Sequence, residues 1–225
     1  MATLALNDEE DNTQVEVIVV DNASTDRTAA IATEFGAQVV SEKRRGIALA
    51  RNAGARAATG DVFVFLDADY RVLPSFLTRL TAHYRTDRAM AAAGVRVALE
   101  PTEIDPITRT VCYGALMLLR RFKRMSFGVA SFRRNCFEAL GGFDETLYAL
   151  EDVEILERLA EPRHARLGRY RILDDLLVYA SPRGFYRGGL IGMGDMLGTY
   201  VRMAASPSAR RDMSKCGYWY GRDQN

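Results

Sequence analysis

The stretch Asp61 to Asp69, DVFVFLDAD, constrains the fold most: five uninterrupted apolar residues, Val62 to Leu66, run straight into two carboxylates separated by one alanine. A short apolar run rich in β-branched and aromatic residues is the pattern of a strand buried on both faces. Asp67 and Asp69 then fall at the carboxyl end of a central strand, where open α/β sheets place their ligands. Two carboxylates there need a cation, because desolvating each unpaired anion costs several kcal/mol. Hard divalent ions accept oxygen ligands, and Mg²⁺ in particular is held by one or two carboxylates plus substrate phosphates. By themselves the three residues also fit a solvated acidic loop.

The flanking text alternates strand and helix. Val15 to Val20 reads as a strand ending at Asp21 in the polar cluster DNASTD, and a helix follows with Ile31 and Phe35 on its apolar face before Gly36. Val39 and Val40 form a short strand. Gly46 to Thr59 places Ile47, Ala50, Ala53, Gly54 and Ala57 at helical spacing, small enough for close approach to a sheet. A helix starting at Pro74 and a strand over 89–99 complete a mostly parallel, doubly wound pattern.

Beyond Pro101 the sequence predicts an apolar helix (VCYGALMLL) capped by the basic cluster Arg120 to Arg124, a strand over 127–132 and a short helix over 135–140. A helix over 151–161 follows, then a strand pair at 170–173 and 177–179. Leu190 to Met203 reads as an amphipathic helix, and 206–225 as a polar, loose tail. The expected organisation is one catalytic unit over 1–189, with a nucleotide-binding half at about 15–100 and an acceptor half at about 101–189, followed by 190–225.

Thirty basic and 29 acidic residues leave a net charge of +1, which excludes the global basic field of a nucleic-acid binder. Cys112, Cys136 and Cys216 lack metal-ligand spacing and suit a reducing, cytoplasmic compartment, as buried or inert thiols. The N-terminus lacks the pattern of a secretory leader, and the run Val111 to Leu119 is about half of the roughly 20 residues a spanning helix needs. His83 and His164 sit in charged surroundings without a partner pattern. The cluster at Arg120 to Arg124 reads as a solvated helix end or, beside an amphipathic helix, as peripheral contact with the inner membrane face. The Leu190 helix is also compatible with core packing or a homodimer.

VIVVDNASTDRT, RGIALARNAGARAATGDVFVFLDAD and GGFDETLYALEDVEILERL, in that order, resemble the successive motifs of the family 2 glycosyltransferases with the GT-A fold. The resemblance implies a Rossmann-like, mostly parallel sheet flanked by helices, and inverting transfer of a sugar from a nucleoside diphosphate donor, UDP- or GDP-linked. The acceptor it implies is a hydroxyl on a glycan, a lipid-linked molecule or a small molecule. It also implies Mg²⁺ or Mn²⁺ as cofactor. Residue by residue, Asp21 matches the aspartate that contacts the nucleobase, whereas its local reading is a helix-capping loop. Asp67 and Asp69 match the DxD motif, the second ligating metal and the first contacting ribose or metal-bound water. Arg51 and Asn52 match residues that shape the donor pocket. Glu151 and Asp152 match the ED pair, with Asp152 as general base; as a plain acidic first turn they would serve the helix dipole alone.

Family members open with an apolar strand and a full helix before the VVD strand, yet only 14 residues precede Val15. A parallel crossover takes about a dozen residues or more. The opening strand and helix are therefore expected to be shortened or missing, with the edge of the next strand exposed. A catalytically silent binding relative is the alternative that this departure raises. A nucleotidyltransferase on a similar sheet is the second.

Overall fold

The computed structural model describes residues 1–7, 14–100, 129–181, 198–203 and 208–216, together with 110, 114, 205, 206 and 220. Apart from Gly114, the expected helix and basic cluster at 111–124, with Cys112, and all of 190–197 lie outside the described residues.

An eight-stranded sheet has the order β3-β2-β1-β4-β7-β6-β8-β5. Its strands are β1 (Ala2–Asn7), β2 (Gln14–Asp21), β3 (Gln38–Ser41), β4 (Val62–Leu66), β5 (Tyr70–Val72), β6 (Met90–Leu99), β7 (Val129–Arg133) and β8 (Arg169–Ala180). The α-helices whose bounds fall among the described residues are α1 (Thr28–Glu34), α2 (Ile47–Ala57), α3 (Phe76–Thr86), α4 (Arg134–Ala139) and α5 (Glu151–Leu159). Strands β2, β3, β4, β6 and β8 run one way, and β1, β5 and β7 run against them.

The expectations for the N-terminus are corrected in one respect. The opening strand is present, and it is reversed: β1 pairs antiparallel with β2 on one side and with β4 on the other. An antiparallel neighbour needs only a short connection, whereas a parallel one needs a crossover. Reversal therefore seats the strand in the middle of the sheet, and the edge of β2 that was expected to be exposed is covered.

All five residues of β4 are buried. Phe63 and Phe65 face one side, in a core with Ile18, Val20, Phe132, Phe137, Phe143 and the alanines of α2. Val62, Val64 and Leu66 face the other, against Phe76, Leu80 and Tyr84 of α3. Period-two alternation into two apolar layers is the geometry expected of a strand covered on both faces. On α2, Gly54 faces Thr3 of β1: a Cβ there would lie 2.2 Å from the Thr3 Oγ1, so only glycine allows helix and strand this close.

Three further readings differ. The strand pair expected at 170–179 is one strand, β8, whose register against β6 jumps from Leu173 to Leu177 while Leu176 stays buried. The pair of aspartates at 174 and 175 therefore marks a bulge in a continuous strand, where a turn was expected. The stretch expected to be a loose tail is packed where it is described, with Ala209, Arg210 and Cys216 buried. The apolar face of α1 is unburied, with Phe35 at 87% exposure.

Candidate functional site

The strand directions bring the predicted residues to one edge. Val19 of β2 and Leu66 of β4 both stand opposite Ala2 of β1, so Asp21 and Asp67 leave the sheet on the same rim, one on each side of β1. The turn after β4 is held at both ends: the Tyr70 N–H donates to the Asp67 carbonyl at 3.1 Å, and the Ser181 N–H donates to the Asp69 carbonyl at 2.7 Å. The Asp69 side chain is exposed and Asp67 is half-buried.

Arg51 is the centre of the site. It is 3% exposed on α2. Its Nη1 donates to Glu151 Oε1 at 2.7 Å and its Nη2 to Asp67 Oδ1 at 3.1 Å, and its guanidinium lies 5.5 Å from the centre of the Phe143 ring. One buried cation thus joins the first DxD aspartate to the first residue of the ED pair. Burial favours the neutral guanidine, but Asp67 and then Glu151 outweigh it and hold Arg51 firmly protonated.

The carboxyls feel the opposite balance. Burial raises Glu151 to about 7; Arg51 opposes this and Asp152 adds to it. Burial likewise raises Asp152, with Arg51 again opposing. One guanidinium faces three carboxylates, so full ionisation of all three is unfavourable. Burial, then Asp67 and Asp69, pushes the Tyr70 phenol well above its usual range.

Asn52, next on α2, turns toward the GGFDE loop. Its amide donates to the Phe143 carbonyl at 2.9 Å and to Glu145 Oε1 at 3.2 Å, and its carbonyl accepts from the Phe143 N–H at 3.0 Å. Gly142 makes room for this clasp, with φ +74 and only 2.9 Å between a built Cβ and Asn52 Oδ1. Glu145 also pairs with Arg56 at 3.2 Å and Arg44 at 3.5 Å.

Asp21 accepts from the Ser24 N–H at 3.1 Å through one carboxylate oxygen, closing a turn within the DNAST loop, whereas the N-cap of α1 is Arg27, with no side-chain cap. Next to Asp21 stands Asn22, in the same polar cluster. It donates to the carbonyls of Glu42 (2.9 Å) and Arg44 (2.7 Å) and accepts from the Gly46 N–H (2.9 Å), fastening the 42–46 loop to the start of α2. Among the described residues, two non-glycine residues have left-handed backbone, Ala23 (φ +56) two residues after Asp21 and Leu150 (φ +60) just before Glu151. Such conformations persist where surroundings over-determine them, and they cluster at functional sites.

His83, read as lacking a partner pattern, meets both oxygens of Asp175 at 3.0 Å, and Arg79 joins the same carboxylate at 2.7 Å. Sequence reading missed Tyr220, whose hydroxyl accepts from the Ile47 N–H at 3.1 Å. No local pattern announces a contact across so long a separation.

Asp67 and Asp69 suit a hard divalent ion in their chemistry: Arg51 occupies one oxygen of Asp67, and Asp69 stands exposed beside it. Among the described residues no group of three or more His, Cys, Asp and Glu side chains gathers around a metal position.

Comparison with known proteins bears on the family and the fold. The sequence model described as "Glycosyl transferase family 2" matches residues 2–141. An uncharacterized glycosyltransferase of Mycobacterium bovis is 46% identical over 65 residues, 29% of this chain and 30% of that protein. The pre-mycofactocin glycosyltransferase of Mycobacterium tuberculosis is 29% identical over 127 residues, 52% of this chain and 27% of that protein. The matched segments therefore span less than a third of these relatives. Among solved structures, a mannosyltransferase of Pyrobaculum calidifontis in complex with GDP-Man and Mn²⁺ superposes with TM-score 0.59 at 24% identity, over 90% of this chain and 60% of that one. Glucosyl-3-phosphoglycerate synthase of Mycobacterium tuberculosis, in complex with Mn²⁺, UDP-glucose and phosphoglyceric acid, gives 0.52 at 20% identity over 89% and 68%. At these identities the likeness is one of fold, which is GT-A.

Proposed function

Because the chain belongs to glycosyl transferase family 2, we propose that it moves a sugar from a nucleoside diphosphate donor to an acceptor hydroxyl with inversion, using Asp67 and Asp69 for donor and metal and Asp152 as general base. The observation that carries this reading is the buried Arg51, which binds Asp67 with one nitrogen and Glu151 with the other. A solvated acidic loop and an acidic first helical turn have no reason to share a desolvated arginine; a donor site and a base that must act on the same anomeric carbon do.

Asp69, with the oxygen of Asp67 that Arg51 leaves, would hold Mg²⁺ or Mn²⁺. When bound, such an ion supplies charge stabilisation to the departing diphosphate. Asp21 stands on the same rim for the nucleobase. Asp152 sits on the first turn of α5, and burial raises its affinity for a proton, which suits a base that takes one from the acceptor hydroxyl. Arg51 keeps Glu151 and Asp67 in register, and Asn52 holds the GGFDE loop against the donor half. The silent-relative alternative rests on an incomplete N-terminal nucleotide-binding element, of which the opening strand is present as β1.

Titration calorimetry with UDP- and GDP-linked sugars, with and without Mn²⁺, tests the reading. Metal-dependent binding that Asp69→Asn abolishes is expected, together with an Asp152→Asn variant that binds donor but transfers no sugar. Donor binding indifferent to metal and to Asp69→Asn would sink it, and normal transfer by Asp152→Asn would remove Asp152 as the base.

A further inference from the structure

We propose that the C-terminal segment around Met203, Ala209, Cys216 and Tyr220 is a strap that positions the Glu151–Asp152 pair, with Met203 and Tyr220 as its positioning residues. The inference rests on the functional reading above for its consequence, but its geometry stands apart from it.

The strap is fastened along the loop that leads into α5. The Tyr148 N–H donates to the Arg210 carbonyl at 2.7 Å, and Arg211 meets Asp144 and Thr146, each at 3.0 Å. Met203 and Cys216, fully buried, and Ala209 pack in one apolar cluster with Ala149, Leu150 and Val153, the residues that bracket the acidic pair. Tyr148, Tyr200 and Tyr220 pack around this cluster, the rings of Tyr148 and Tyr220 edge to face at 5.6 Å.

Two features turn this packing into a positioning argument. Leu150 is left-handed and 5% exposed. A bulky residue keeps that backbone only where its surroundings fix it, and strap side chains are part of those surroundings. Leu150 in turn sets the direction of the first turn of α5, which carries Glu151 and Asp152. The second feature is Tyr220, whose hydroxyl accepts from the first N–H of α2, the helix that carries Arg51. The strap thus touches both helices whose side chains form the Arg51–Glu151 pair. The Tyr200 phenol, raised by burial and then by Asp152 and Glu151, lies within the field of the same carboxylates.

The test compares Met203→Ala, Met203→Leu and Tyr220→Phe with the parent chain, reading kcat, donor KM and amide hydrogen exchange over the first turn of α5. The expectation is a kcat about tenfold lower for Met203→Ala, since small displacements of a reacting group are costly, with donor KM unchanged and faster exchange at Val153 to Ile155. Met203→Leu, which conserves volume, restores both. Tyr220→Phe keeps the ring and moves kcat and exchange in the same direction by less, and it carries the test if Met203→Ala does not fold. Unchanged exchange in α5 overturns the strap, and so does a joint loss of donor affinity and kcat. If the parent chain transfers no sugar, the functional reading fails, while the exchange measurement still decides the strap.

Discussion

Helices α1 and α2 follow neighbouring strands and read alike in sequence, yet one buries nothing and the other almost everything. No residue of α1 is buried, and Ile31 and Phe35, its apolar spacing, stand 46% and 87% exposed. Eight consecutive residues of α2, Ala48 to Ala55, are buried, Arg51 and Asn52 among them. The difference lies in what each helix meets. α1 lies over β2 and the four-residue edge strand β3, whereas α2 lies over β1 and β2 with Gly54 against Thr3. Apolar spacing marks a helix face, but small residues and a covered strand beneath decide whether the face is used. The helix held on nearly every side is the one that presents the site's buried cation.

This contrast is broken or sharpened by substitution. Arg51→Ala leaves Glu151 buried without its cation and should cost about 3–5 kcal/mol in denaturant unfolding, with loss of transfer. Gly54→Ala forces a Cβ into Thr3 and Val20, and overpacking of about 1–3 kcal/mol should exceed the helix-propensity gain of about 1 kcal/mol. Glu151→Gln should flatten the pH dependence of the thermal midpoint. The folded carboxyl, at about 7, binds its proton more tightly than the unfolded one at 4.5. Its stabilising contribution is therefore full below pH 4.5 and lost as pH rises through 7. The smallest effect is expected on α1: Phe35→Ser should change unfolding free energy by less than about 0.5 kcal/mol. If Phe35→Ser cost as much as Gly54→Ala, the contrast between the helices would fail.

Much of the centre was legible from residue type and spacing. The buried run at 62–66, the small-residue helix after Gly46 and the acidic start of α5 all declare themselves, because each rests on contacts between near neighbours or on one covered face. Asp67, Asp69, Glu151 and Asp152 stood out by pattern, but Arg51 was not legible as the link that joins Asp67 to Glu151; an arginine on a helix looks solvated until the other elements close over it. Asp174 and Asp175 hid a continuous strand, because a polar pair signals a turn and a bulge alike. Tyr220 was out of reach altogether, since its contact with Ile47 depends on the whole fold being in place. The reversed β1 was missed because family spacing implies a parallel partner, while the short link favours an antiparallel one.

That reversal bears on how the chain assembles. Ala2 pairs with Val19 in one direction and with Leu66 in the other, so β1 has one partner close by along the chain and one far away. Nearby antiparallel pairing closes a short loop and forms on a timescale of about 1–10 μs, well before distant strands must meet. The β1–β2 unit can therefore exist as an early template with one side open, onto which β4 docks later. In this order of events the strand that leads into Asp67 arrives at a surface already laid out by the first two, and the rim shared by Asp21 and Asp67 forms only when β4 docks.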